Sequence, residues 1–90
     1  MTRYVLQYLV VTDYVARRAQ YREEHLRLAR DAQARGELIQ GGALGDPVDR
    51  AMLVFSSRES AEAFARQDPY VTNGLVTTWD VQPWAVVVGA

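Results

Sequence analysis

The stretch Thr12–Gly36, TDYVARRAQYREEHLRLARDAQARG, has the spacing of an amphipathic helix with cations on its core-facing side. At the helical period of about 3.6 residues per turn, apolar residues form one stripe: Val15, Ala19, Leu26 and Ala29. Three basic residues project from the same apolar arc: Arg18, Arg22 and His25. Because cations are costly to bury without partners, this helix either lines a polar pocket or leaves part of the arc unburied.

Local signals predict where this helix and a second one begin and end. Thr12 or Asp13 is suited to cap the first helix, and Gly36 supplies the left-handed residue that ends it. A second helix is predicted over Ser56–Gln67, where Glu59 stands three residues after the initial serine, as in a capping box. The chain therefore contains two helices of clear amphipathic pattern, and after the second a short turn over Tyr70–Asn73 is expected to be closed by Gly74.

Four runs rich in aromatic and β-branched residues predict strands: Tyr4–Val11, Leu38–Leu44, Ala51–Phe55 and Leu75–Gln82. Pro83-Trp84 is expected to end the last strand, and Ala85–Ala90 follows as an apolar tail that pairs locally or with a partner. The resulting order, βαββαβ, favours a ferredoxin-like α+β fold in a single domain over residues 1–90. In that fold a four-stranded antiparallel sheet carries both helices on one face.

Both faces of the first strand are largely apolar, so the side of the sheet without helices also needs a cover. A second copy of the chain packing sheet on sheet would provide it. The sequence therefore predicts a homodimer.

Composition excludes several classes of function. The chain has 90 residues, a formal net charge of −1 and no apolar run of about 18 residues, which argues against nucleic acid or membrane as the main partner. It lacks cysteine and lysine, which excludes a thiol nucleophile and a lysine Schiff base. The N-terminus has no signal-peptide pattern, so a cytoplasmic location is expected.

His25 and Asp68 are the candidate catalytic pair. His25 is the only histidine, and no acid shares its stripe, so its partner must come from another element. Asp68 follows the second helix, which Pro69 ends because the residue before a proline avoids helical dihedrals. Two roles are open for Asp68. It caps the turn at Tyr70, or it orients one imidazole nitrogen and leaves the other as a general base.

Arg22, Gly42, Tyr8 and Trp84 are the candidate substrate-binding residues. Arg22 is suited to hold a carboxylate or an enolate, and its alternative is a structural pair with Asp68 or Asp80. The backbone of Gly42 can approach a ligand closely, and the two aromatic residues either line a pocket or pack in the core. No metal site or cofactor is predicted, because one histidine and no cysteine leave only scattered carboxylates.

Short motifs along the whole domain resemble those of the YciI-like (YCII-related) family. They occur in this order: Arg22-x-x-His25-Leu26, Gly36-x-Leu38-x-x-Gly41-Gly42, Asp68-Pro69-Tyr70, Gly74 and Pro83-Trp84. The resemblance implies the dimeric α+β barrel fold of muconolactone isomerase and its relatives. It also implies a histidine–aspartate pair in the active site, which falls here on His25 and Asp68.

The leading hypothesis is a cofactor-independent enzyme that moves a proton on a small ring-bearing or enolisable substrate, as an isomerase, lyase or cyclase does. Bacterial secondary metabolism or aromatic degradation would suit such an enzyme. A non-catalytic ligand-binding module is the first alternative, and its sign would be His25 without an Asp68 contact. A cofactor-free monooxygenase is the second, and oxygen consumption separates it from proton transfer.

Overall fold

A single antiparallel sheet forms the frame of the protein in the computed structural model, which describes residues 1–89. Its strands are β1 (Thr2–Val10), β2 (Leu38–Leu44), β3 (Arg50–Phe55) and β4 (Val76–Ala85), in the spatial order β2-β3-β1-β4. The helices cover one face of this sheet. The predicted ferredoxin-like α+β fold is therefore confirmed.

The predicted long helix is three shorter elements. They are α1 (Tyr14–Arg17), a 3₁₀ turn (Arg18–Gln20) and α2 (Arg22–Ala34). The break falls at Tyr21, whose φ of −112° and ψ of −3° interrupt the helical path. The predicted stripe is divided by this break: Val15 on α1 is 52% exposed, whereas Leu26 and Ala29 on α2 are half-buried. The prediction of one continuous helix was wrong.

The two glycines expected to end helical segments do so. Gly36 has a φ of +78°, its N–H donates to the carbonyl of Gln33, and the next N–H donates to that of Ala32. Gly74 has the same φ and closes the short helix α4 (Pro69–Thr72) with the same pair of hydrogen bonds. A residue without Cβ adopts this conformation at no steric cost, which is why both ends were predictable.

The second long helix, α3 (Arg58–Gln67), is capped one residue later than the sequence predicted. The Ser57 hydroxyl accepts the backbone N–H of Ser60, at 3.1 Å, whereas Ser56 precedes the cap. The backbone of Ser56 instead pairs with that of Glu37, because the Ser56 N–H donates to the Glu37 carbonyl at 2.9 Å. The two adjacent serines are equally good caps by type, so strand pairing decided between them.

Strand β4 does not stop at Pro83-Trp84, as predicted, but continues to Ala85. Pro83 lies opposite Tyr4 of β1, and β4 is the edge strand, where a residue without an N–H is tolerated. The tail begins with a local pair, in which the N–H of Val86 donates to the carbonyl of Met1 at 2.8 Å. Ala90, the last residue of the predicted tail, lies outside the described residues.

The core lies between the helices and one face of the sheet. Leu6 and Tyr8 of β1 point into it with Phe55 and Leu53 of β3, and Phe64 packs onto them from α3. Alternate strand residues point to the outer face, which carries exposed or half-buried apolar side chains: Leu9, Leu44, Met52 and Trp84. Within the described residues, no helix is long and apolar enough to cross a membrane.

The stabilities of the two serine-to-alanine variants show which serine caps α3. Ser57→Ala should lower the free energy of unfolding by about 1 kcal/mol, because it leaves an N–H of the first turn of α3 without its partner. Ser56→Ala is the matched control and should leave stability within about 0.5 kcal/mol of the wild type. Urea unfolding followed by circular dichroism measures both, and equal losses would contradict the assignment.

Candidate active site

The site is built around Asp68, the only charged residue in the described chain whose side chain is fully buried. Its carboxylate accepts three hydrogen bonds: from the backbone N–H of Tyr70 (3.0 Å), from His25 Nδ1 (2.9 Å) and from the Tyr8 hydroxyl (2.8 Å). A buried carboxylate is costly unless donors surround it, and here each oxygen has at least one.

Local sequence places Asp68 at the junction of α3 and α4. Pro69 forces it out of helical dihedrals, to a φ of −66° and a ψ of 122°, so α3 ends and α4 begins there. The side chain then caps α4 through the N–H of Tyr70. The two alternatives left open by the sequence therefore coexist, because one carboxylate both caps α4 and meets His25.

His25 is held tightly on three sides. Its Nδ1 lies 2.9 Å and 3.0 Å from the two oxygens of Asp68, and its ring stacks on Tyr70 with centroids 3.9 Å apart and planes at 8°. Phe64 meets the ring edge-on at 6.1 Å. An ionised carboxylate only accepts hydrogen bonds, so Nδ1 is the donor, and Nε2 keeps its lone pair.

The free nitrogen of His25 faces open space. Nε2 makes no hydrogen bond to the described residues, and it is not among their buried atoms that lack a partner. The side chain is 14% exposed and lines a cavity with a volume of about 480 Å³. An oriented imidazole with one accessible nitrogen has the arrangement of a general base.

Arginines give this cavity a positive lining. Arg18, Arg22 and Arg30 all border it, and no aspartate or glutamate does. None of the three forms an ion pair within residues 1–89, so the structural pair of Arg22 with Asp68 or Asp80 is not observed. Unpaired guanidinium groups favour an anionic ligand.

Gly42 borders the cavity, but the two aromatic residues predicted with it do not. Tyr8 is 1% exposed and lies behind the site, where it donates to Asp68. Trp84 projects from the outer face of the sheet, because side chains alternate along β4 and Val81 points to the core. There it borders a shallow groove of about 280 Å³ that also touches Gly42.

Two tyrosines of the cavity wall, Tyr70 and Tyr14, were not predicted from the sequence. Tyr70 lies between His25 and Tyr14, which meets it edge-on with centroids 5.6 Å apart. The Arg18 guanidinium lies 5.3 Å from the centre of the Tyr14 ring, within reach of a cation–π contact. Tyr70 follows Asp68 by two residues and was predictable from the cap, whereas Tyr14 depends on the break at Tyr21.

Metal binding is not indicated in the part of the chain that the structure describes. It contains no group of three or more histidine, cysteine, aspartate or glutamate side chains placed to hold an ion. The polar side chains around the cavity carry guanidinium, phenol, imidazole and amide groups, a set that suits an organic anion better than a metal ion.

This fold and this site define a small α+β protein with a buried aspartate, an oriented histidine and a cationic cavity. The chain belongs to the YCII-related domain family, whose model matches residues 2–85. The resemblance found in the sequence is thereby confirmed.

Solved structures with the same fold are distant in sequence. One is the 5-chloro-2-hydroxyhydroquinone dehydrochlorinase TftG of Burkholderia phenoliruptrix in complex with 2,5-dihydroxybenzoquinone, with 17% identity, a TM-score of 0.73 and coverage of 92% of this chain and 93% of that one. Another is a protein of Agrobacterium tumefaciens, with 12% identity, a TM-score of 0.60 and coverage of 97% and 94%.

A third similar structure is SnoaB, a cofactor-independent oxygenase of Streptomyces nogalater, with 13% identity, a TM-score of 0.50 and coverage of 98% of this chain and 94% of that one. A search of curated proteins found no match. At these identities the likeness establishes the fold that the chain shares with these proteins.

The buried tyrosine behind the site makes stability fall at alkaline pH. Burial, and then the adjacent Asp68 carboxylate, raise the pKa of Tyr8, while in the unfolded chain it ionises near pH 10. Above about pH 10 the folded state therefore binds more protons than the unfolded state, so stability present below that pH is lost as the pH rises. Urea midpoints should fall between about pH 9 and about pH 11.

Tyr8→Phe tests the source of this dependence. The variant should be less stable than the wild type near neutral pH, since it removes a buried hydrogen bond, yet lose less stability on going to high pH. Part of the dependence should remain, because burial also raises the pKa of Tyr14 and of Tyr70. An unchanged slope of midpoint against pH would contradict the role given to Tyr8.

Proposed function

We propose that this protein is a small, cofactor-independent enzyme that moves a proton on a ring-bearing or enolisable substrate. His25 acts as the general base, and Asp68 orients it. The observation that carries this proposal is the pairing of a fully buried carboxylate with Nδ1 of an imidazole that lines an open cavity. The non-catalytic alternative predicts His25 without an Asp68 contact, and the 2.9 Å distance speaks against it.

The proton moves through His25 Nε2. With Nδ1–H donated to Asp68, Nε2 takes a proton from the substrate, and the imidazolium that forms is stabilised by the carboxylate beside it. Stacking on Tyr70 keeps the ring from rotating during the transfer. The same nitrogen then returns the proton at another atom in an isomerisation, or releases it to solvent after an elimination.

Arg22 is the residue proposed to hold the oxyanion that develops as the proton leaves. It lies three residues before His25, hence on the same side of α2, and it borders the same cavity without an acid partner within residues 1–89. A guanidinium binds an enolate or phenolate oxygen through charge-assisted hydrogen bonds.

The fold shared with TftG, which was solved with 2,5-dihydroxybenzoquinone, guides the choice of first substrates. Hydroxylated rings and hydroxyquinones are flat, and their hydroxyl groups ionise readily. The resulting anions suit a cavity that is lined by arginines and tyrosines. In an elimination, the electron pair left by the proton forms the new double bond while the leaving group departs with its own pair. This is the reaction type we favour for a first assay.

Two substitutions test the proton-transfer mechanism. His25→Ala and Asp68→Asn should each lower the rate at least about a hundredfold on a substrate that the wild type turns over. Hydroxylated quinols, including 5-chloro-2-hydroxyhydroquinone, and enolisable ring ketones are incubated in D₂O, with deuterium uptake and halide release followed by NMR and ion chromatography. Glu24→Gln, next to His25 but on the solvent side, is the control and should keep full activity.

A folded His25→Ala variant with wild-type turnover would overturn the mechanism. Oxygen consumption in step with substrate loss would instead favour the cofactor-free monooxygenase, the activity type of SnoaB. Circular dichroism of each variant separates lost chemistry from lost fold, which matters for Asp68 because three donors depend on it.

The outer face of the sheet supports a second proposal, that two copies pack sheet on sheet. Leu9, Leu44 and Trp84 are 44%, 49% and 45% exposed there, and Val5 and Val54 lie between them. Large apolar side chains grouped on one exposed face are characteristic of interaction surfaces. A second copy of the chain offers the same apolar face in return.

Met52→Asp should convert this dimer into a monomer. Met52 lies on β3 in the middle of the apolar face, opposite the uncharged Gln7 and Gly42, so the new charge would be buried without a partner on association. Sedimentation equilibrium at micromolar concentration measures the mass of wild type and variant. Val15→Asp is the control, since it introduces the same charge at an exposed position on α1, on the helical side of the sheet. A monomeric wild type would refute the proposal.

A further inference from the structure

Tyr70 carries a buried hydroxyl that the mechanism above does not use. The side chain is 1% exposed, and its hydroxyl is the only buried side-chain polar atom in the described residues without a hydrogen-bond partner. The ring is fixed by stacking on His25 and by the edge contact with Tyr14. An unsatisfied buried hydroxyl destabilises the folded state, so native proteins rarely keep one without a use.

The charged side chains around this hydroxyl can donate hydrogen bonds but cannot accept one from it. Arg22 lies near enough, as a donor, to lower the pKa of Tyr70 against the rise that burial causes, but it offers the hydroxyl proton no acceptor. Arg18 also acts on it, and guanidinium groups have no acceptor atom. No carboxylate borders the cavity, and Asp68 already accepts three other donors.

We infer that the Tyr70 hydroxyl is a substrate-binding group, which donates a hydrogen bond to an ionised oxygen of the substrate that Arg22 holds at the same time. The missing acceptor is thus supplied by the ligand. The substrate class follows: a ring compound that carries a carboxylate, phenolate or enolate oxygen. This inference rests on the proposed function for the location of the substrate beside His25.

Stacking makes the position of this donor useful. Because the Tyr70 ring lies parallel to the imidazole at 3.9 Å, its hydroxyl is fixed relative to Nε2 of His25. A substrate oxygen bound between Tyr70 and Arg22 therefore has a set distance from the base. A donor that is rigid and already desolvated binds an oxyanion without paying for reorganisation.

Benzoate serves as the probe, because it is a flat ring with one ionised carboxylate, and benzamide serves as its neutral counterpart. Calorimetric titration at neutral pH should show that the wild type binds benzoate and not benzamide. Tyr70→Phe, which keeps the stacked ring and removes only the hydroxyl, should weaken benzoate binding about tenfold or more. Without ligand, this variant should be at least as stable as the wild type, since its hydroxyl has no partner to lose.

Tyr4→Phe is the matched control, because Tyr4 lies on β1 outside the cavity and beside Arg58, and it should bind benzoate as the wild type does. In protein labelled with ¹³C at tyrosine Cζ, the Tyr70 signal should shift as benzoate is added. Tyr70→Phe with wild-type affinity would overturn the inference, and so would a wild type that does not bind benzoate.

These results are separable from those on the mechanism. Benzoate has no proton for His25 to move, so its binding does not depend on turnover. If His25→Ala kept full activity while Tyr70→Phe lost benzoate binding, the proposed function would fail and the anion site would stand. If His25→Ala lost activity while Tyr70→Phe bound benzoate normally, the anion site would fail and the proposed function would stand.

Discussion

The buried carboxylate of Asp68 is the interaction on which this structure depends. It receives Tyr8 from β1, His25 from α2 and the backbone of Tyr70 from α4, so one side chain at the end of α3 joins the sheet to two further helices. A charge with 0% exposure is tolerable only because those donors replace its water. Removing any one donor leaves part of that charge unpaired, which ties the packing of the helices to the site.

Elements with local signals were predictable from the sequence. The runs of aromatic and β-branched residues predicted all four strands, and the glycines at the ends of α2 and α4 predicted the helix ends, because each depends on a few neighbouring residues. The position of Asp68 before Pro69 also predicted its cap. Its contact with His25 came from the family resemblance and from the absence of an acid on the same helix, since residues 43 apart share no local pattern.

The errors arose where tertiary packing decided between similar local choices. No glycine or proline marks the break at Tyr21, so periodicity alone extended one helix through it. The choice of Ser57 over Ser56 depends on pairing with Glu37, and Pro83 is tolerated because β4 lies at the edge. Because β4 is longer than predicted, Trp84 belongs to the strand and its side chain lies on the outer face of the sheet. Tyr8 lies on the buried side of β1, where its hydroxyl donates to Asp68 and does not line the cavity.

The break at Tyr21 also explains the cations that first marked this stretch. In one straight helix the core-facing side would contain three basic residues: Arg18, Arg22 and His25. They would either be buried in the core or keep that side of the helix exposed to solvent. With α1 and α2 separated by the 3₁₀ turn, all three border one cavity together with Tyr14 and Tyr70. His25 is the only one of them with an acid partner in the described chain, and that acid is fully buried. The arginines thus have no acid partner within residues 1–89 and give the cavity a positive lining, while Asp68 orients the imidazole of His25 from behind.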